Sequence, residues 1–168
     1  MIYYMPHPAA PVDQGDIIDA CPIAFVDRFD SSQPDDVEWE FGASRIIVLT
    51  QTCDLANQKT RHVTVAVLLD AEELVQQGLL KPTDIRGPIR AGRVFGWYFL
   101  PMNAELKLPE MIVDLRQLHT VRLDLLTGLC EQNRRRGRLT DLYRAHLGRH
   151  FGDTYARIGL PEPYATES

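Results

Sequence analysis

Apolar positions along the chain fall in short runs, each stopped by turn-forming or charged residues, and this spacing predicts strands over the first three quarters of the sequence. The clearest run is Ile46-Ile47-Val48-Leu49, flanked by Arg45 and by Thr50-Gln51-Thr52-Cys53-Asp54. It is too short for a helix and does not alternate. It therefore predicts a strand covered on both faces, whose end delivers Gln51, Thr52, Cys53 and Asp54 to a loop. His62 to Leu69 predicts a second strong strand, and Arg93 to Leu100 an aromatic-rich one ended by Pro101. Asp16 to Val26 predicts one strand, or two broken at Pro22, because proline cannot donate to a central ladder. Met111 to Leu115 and His119 to Leu123 complete six or seven short strands, a pattern that favours a small antiparallel barrel or sandwich.

The intervening segments carry their own signals. The first fourteen residues, rich in proline, read as an N-terminal arm. Asp27 to Glu40 is acidic and polar and predicts an exposed hairpin loop, and Asn57 to Arg61 a polar turn. Asp70-Ala71-Glu72-Glu73 has the spacing of a capping box, opening a short helix that Gly78 ends. Lys81 to Gly92, with Pro82, Gly87, Pro88 and Gly92, predicts a loop. Tyr143, Leu147, Phe151, Tyr155 and Ile158 recur at helical spacing, with Thr140 as N-cap and Gly159 and Pro161 as the stop. The run Arg134-Arg135-Arg136-Gly137-Arg138 predicts an exposed turn between two helices. The expected fold is thus mainly β with C-terminal helices, an α+β domain over 1–168: an arm (1–14), a β-rich barrel (15–123) and a helical part (124–160) packed across it.

Composition narrows the class. With 168 residues, 45% hydrophobic and 24% charged, the chain suits one globular domain that needs no staple. No stretch has the character of a signal peptide or a membrane span, so a cytoplasmic location without membrane attachment is expected. Cys21, Cys53 and Cys130, odd in number and far apart, fit reduced thiols. The net charge of −5 is unevenly placed: Met1 to Val121 sums to −7, whereas Arg122 to Arg157 sums to +4. The two parts are expected to face each other. A nucleic-acid partner, which a basic surface would favour, is the lesser expectation for so acidic a chain.

Four chemistries fit the candidate residues. Cys53 as a nucleophile needs a neighbouring cation or base, with His62 or His119 to supply it, while Asp54 beside it works against a thiolate. The competing structural role for Cys53 is a small buried side chain at a strand end. His146, His150 and Asp153 fall at i, i+4 and i+7 and would share one helix face, a weak candidate metal site weighed against pairing of Asp153 with Arg149 or Arg157. Arg45 with His62 or Thr52 would suit phosphodiester cleavage, against a structural role for Arg45 in an ion pair with Asp16 or Glu40. Finally, Gln51, Thr52, Cys53 and Asp54 offer donors and acceptors to a small ligand or a partner protein with no chemistry required.

Gly15-Asp16-Ile17, the Arg45 to Asp54 motif, Trp97-Tyr98-Phe99-Leu100-Pro101 and Arg157-Ile158-Gly159-Leu160-Pro161 together resemble a group of functionally uncharacterised bacterial proteins that share a Thr-Gln-Thr-Cys-Asp-Leu signature. The layout of Gly-Asp-Ile opening one strand and Arg-Ile-Ile-Val-Leu-Thr opening the next is also similar to PemK/MazF-like ribonuclease toxins. That resemblance implies an SH3-like barrel, with Arg45 at the position of their catalytic arginine. The hydroxyl those enzymes carry after a later strand has no counterpart, since Leu69 runs into Asp70-Ala71-Glu72, and Ile46 stands where proline commonly follows the arginine. A non-catalytic binding module, with no cofactor, asks least of the residues present and is the leading expectation; a toxin-like ribonuclease and a cysteine-dependent enzyme are the alternatives.

Overall fold

The computed structural model describes residues 1–29, 31–33, 37–57 and 59–156. Among the described residues, seven strands form one antiparallel sheet: β1 (Tyr3–Tyr4), β2 (Asp16–Phe29), β3 (Val37–Val48), β4 (His62–Asp70), β5 (Trp97–Leu100), β6 (Met111–Arg122) and β7 (Arg135–Leu139), in the order β1-β7-β2-β3-β4-β6-β5. Short helices α1 (Thr52–Ala56), α2 (Ala71–Gln76) and α3 (Pro82–Asp84) punctuate the strands; α4 (Leu123–Glu131) and α5 (Asp141–Tyr155) follow. The fold is therefore mainly antiparallel sheet with a C-terminal helix, as the strand pattern predicts.

Among the described residues, backbone pairing does not close the sheet. Its edges, β1 and β5, are instead joined through a side chain, the Tyr3 hydroxyl donating to the Pro101 carbonyl at 2.7 Å. Alternation along the strands builds a core on each face. Ile17, Ile47, Leu49, Ala66, Leu68, Tyr98 and Val113 pack under α5 through Tyr143, Leu147 and Phe151. Ile18, Ile46, Val48, Val63 and Val65 pack against Leu55 of α1 and Leu126 and Cys130 of α4. The run Ile46-Ile47-Val48 is buried on both faces because each face has its own cover.

Several expectations are corrected. The hairpin loop expected over Asp27 to Glu40 is shorter, because β2 extends to Phe29 and β3 starts at Val37. Pro22 does not break β2. It pairs opposite Ala43, beyond the β7 ladder that ends at Ile18, so its missing N–H faces no neighbour. The two strands expected over 111–123 are one, β6, interrupted by a register shift opposite Ala66 and Val67. Lys81 to Gly92 is not a loop: Pro82 opens α3, where no N–H is needed, and a π-helical turn over Ile85–Ile89 follows. Ile85 and Ile89, four apart, bury together beside Ala71, Leu74 and Ile112.

The basic run is corrected most. Arg135 to Arg138 form strand β7, and Arg135 and Arg138 are buried. Arg138 donates to both carboxylate oxygens of buried Asp16, at 2.6 and 2.9 Å, and to the Pro11 carbonyl at 2.7 Å. Arg135 donates to the Ala10 carbonyl at 2.9 Å, and its Nε lies 3.4 Å from Asp16 at an angle too poor for a hydrogen bond. The acidic front and basic tail do face each other, and the arginines tie the N-terminal arm to the sheet. Burial works against the Arg138 charge, but Asp16 outweighs it and holds the guanidinium firmly protonated. Thr140 sits at the N-cap of α5, yet its hydroxyl donates to the Met1 carbonyl rather than capping. Ile158, Gly159 and Pro161 lie outside the described residues.

Candidate functional site

The ladder of β3 ends because the Thr64 carbonyl accepts from both Leu49 and Thr50, while the Thr50 hydroxyl accepts from the Thr64 amide at 2.8 Å. The chain then turns: the Gln51 carbonyl accepts from Asp54 and Leu55, and burial of Leu55 pins α1 to the sheet. Gln51, Thr52 and Cys53 are left exposed on the side facing α5. The strand end expected to present these residues does so, on a short helix rather than a loop.

Between α1 and α5 lies an open cleft of about 510 Å³, lined by Gln14, Leu49, Gln51, Thr52 and Cys53 on one side and Arg144, Ala145, Gly148, Arg149 and Phe151 on the other. That volume lies within the range of small-ligand sites. Arg144 is fixed by ion pairs with Asp13, at 2.7 Å, and Asp141, and its Nη1 reaches the Thr52 hydroxyl at 3.4 Å. Partial burial opposes its charge, but Asp141 and Asp13 more than compensate and raise its pKa. Arg149 is exposed, with Asp153 3.7 Å away. The Gln14 amide donates to the Leu49 carbonyl at 3.2 Å, completing the floor. Gln14, Arg144 and Gly148 are not among the residues singled out from the sequence, and Arg149 figures there only as a partner for Asp153. Their signal is present: Arg144 and Gly148 each follow by one an apolar position of the α5 stripe, which sets them on its flank.

The thiol of Cys53 approaches Gln51 Oε1 at 3.6 Å and Asp54 Oδ1 at 3.8 Å. Neither is a base suited to raising a thiolate, and no histidine hydrogen-bonds the sulfur among the described residues. The structural role considered for Cys53, a buried side chain, is also corrected: it is exposed, whereas Cys21 and Cys130 are buried. Asp54 turns to Lys59, 3.7 Å away. His62 lines an adjoining cleft with Gln51, Asp54 and Phe151.

Other candidates are held elsewhere. Arg45 lies within β3, six residues before Gln51 and about 20 Å from it along an extended chain. Its ion-pair partner is neither Asp16 nor Glu40 but Asp19, at 2.5 Å. Arg45, Thr52 and His62 are not brought into one cleft. His119 packs edge-on against Phe25. The helical triad does not converge: His146 Nδ1 meets the Tyr98 hydroxyl at 2.9 Å, His150 Nε2 meets the Trp97 carbonyl at 3.0 Å, and Asp153 pairs with Arg149. No cluster of three metal-ligating side chains occurs among the described residues.

Comparison with models of known protein families and with curated proteins finds no match to the chain.

Proposed function

We propose that the protein is a non-catalytic module that holds a small ligand, or a segment of a partner protein, in the cleft between α1 and α5. The observation that carries this reading is the convergence of exposed Gln51, Thr52 and Cys53 with Arg144 and Arg149 in one cleft that contains no paired nucleophile and base. Amide, hydroxyl and guanidinium donors beside the Phe151 ring suit a ligand with an acceptor-rich or anionic group on a small apolar body. In this reading the curled sheet serves as an SH3-like barrel, and the protein belongs with the bacterial cytoplasmic proteins that share the Thr-Gln-Thr-Cys-Asp-Leu signature.

The test is thermal unfolding in the presence of inorganic phosphate, acetate, succinate and nucleotides. A ligand at 100 times its Kd stabilises the native state by about 2.7 kcal/mol, so a binder raises the midpoint measurably. The reading expects that rise in the wild type and its loss in Gln51→Ala and Arg149→Glu. Equal shifts in wild type and variants would contradict it. A second reading, a cysteine-dependent enzyme with His62 from the adjoining cleft as base, draws on the exposure of Cys53.

A further inference from the structure

The outer half of the β2–β3 hairpin leaves the sheet. The β7 ladder on β2 stops at Ile18 and the β4 ladder on β3 begins at Ile46, so the paired residues from Cys21 and Ser44 outward form a two-stranded ribbon with no further strand paired to it among the described residues. Its two faces differ. One carries Ile23 and Phe25, packed toward α4 and His119, with Glu38 and Glu40 on the same side. The other carries the cross-strand pairs Pro22–Ala43, Ala24–Phe41 and Val26–Trp39, all six apolar and all exposed. Trp39 is 56% and Phe41 74% exposed. Since an aromatic side chain brings roughly 150–250 Å², the face offers on the order of 500 Å² of apolar surface, at the upper end for a lone monomer.

We infer that this face is the contact between two copies of the chain, related by a two-fold axis at the level of Glu40 and Phe25 with the ribbons antiparallel. Glu40 separates Trp39 from Phe41, and Phe25 separates Ala24 from Val26. The axis therefore stacks Trp39 on the partner subunit's Phe41 and Val26 on the partner subunit's Ala24, each contact made twice. This direction is the one that sets aromatic on aromatic, whereas parallel packing would lay Trp39 on the partner subunit's Val26 and Phe41 on the partner subunit's Ala24. Glu38 and Glu40 lie on the opposite face. Pressing two such faces together removes roughly 1,000 Å² from solvent, the low end for a specific interface, which gives a reversible dimer with a Kd between roughly 1 µM and 1 mM.

Sedimentation velocity over a concentration series tests the inference. Wild type is expected to pass from monomer to dimer, and Phe41→Glu, its thermal midpoint within a few degrees of wild type, is expected to weaken association at least tenfold. Orientation is read by disulfide trapping in a Cys53→Ser background. Mixing Ala24→Cys with Val26→Cys chains should give the mixed disulfide in preference to either homodimer. A wild type that stays monomeric throughout, a dimer unaffected by Phe41→Glu, or homodimeric disulfides in excess would each overturn it.

Discussion

Cys53 and the buried cysteines separate sharply in the fold although nothing near them in sequence distinguishes them as thiols. Cys53 stands exposed at the cleft, while burial pushes the Cys21 thiol up to about 11 and raises Cys130. A thiol reagent applied to the native protein is therefore expected to modify Cys53 alone, as read by intact mass. His62→Ala should leave the rate unchanged, because no imidazole hydrogen-bonds the sulfur among the described residues; a clear fall would favour the cysteine-dependent reading. At the buried pair, Asp16→Ala removes the carboxylate that neutralises Arg138 and stands beside Arg135. Leaving buried guanidinium charge uncompensated costs about 3–5 kcal/mol, so denaturant titration should show a loss of that order. An effect below 1 kcal/mol would contradict the role given to Asp16.

At the scale of elements, what was legible follows the physics of each segment. Ile46 to Val48 and Val65 to Leu68 declared themselves because burial on two faces leaves an uninterrupted apolar run. The helical stripe Tyr143-Leu147-Phe151 did so because one face meets the core. Strand β7 was hidden: Arg135 and Arg138 are buried only because Asp16 and the carbonyls of Ala10 and Pro11 lie some 120 residues away in sequence. No local pattern carries that information. The Thr-Gln-Thr-Cys half of the cleft was readable as polar side chains closing a buried strand, whereas its arginine half, from α5, depends on how the helix lies across the sheet. The β2–β6 junction yields a pH prediction. His119 packs on Phe25 with its Nε2 buried and unpaired, and burial lowers its pKa below 6.5. The unfolded chain thus binds the proton more readily. Stability is complete above about pH 6.5 and declines as pH falls through that value toward the folded pKa. His119→Phe should flatten this limb of a stability–pH curve; an unchanged limb would assign it to other groups.

Across the whole molecule, a sheet whose ladder stays open is held in a curl by contacts between its edges. The Tyr3 hydroxyl on Pro101 is the explicit link, and burial raises the Tyr3 pKa far above that of an ordinary phenol, keeping the hydroxyl a donor at any physiological pH. Tyr3→Phe deletes one such bond and is expected to lower stability by about 1 kcal/mol in chemical denaturation, with a larger loss of hydrogen-exchange protection at β1 and β5 than at β4. Uniform loss across the sheet would contradict an edge-closing role. The same curl lays α5 over one face, and α5 brings Arg144 and Arg149 to Gln51, Thr52 and Cys53. The most direct test of ligand binding there is a two-dimensional amide NMR titration with the anion giving the largest thermal shift. The account expects perturbations concentrated at Gln51 to Asp54 and Arg144 to Phe151, with the ligand recovered unchanged. Perturbations centred elsewhere, or a ligand chemically altered by the protein, would contradict it.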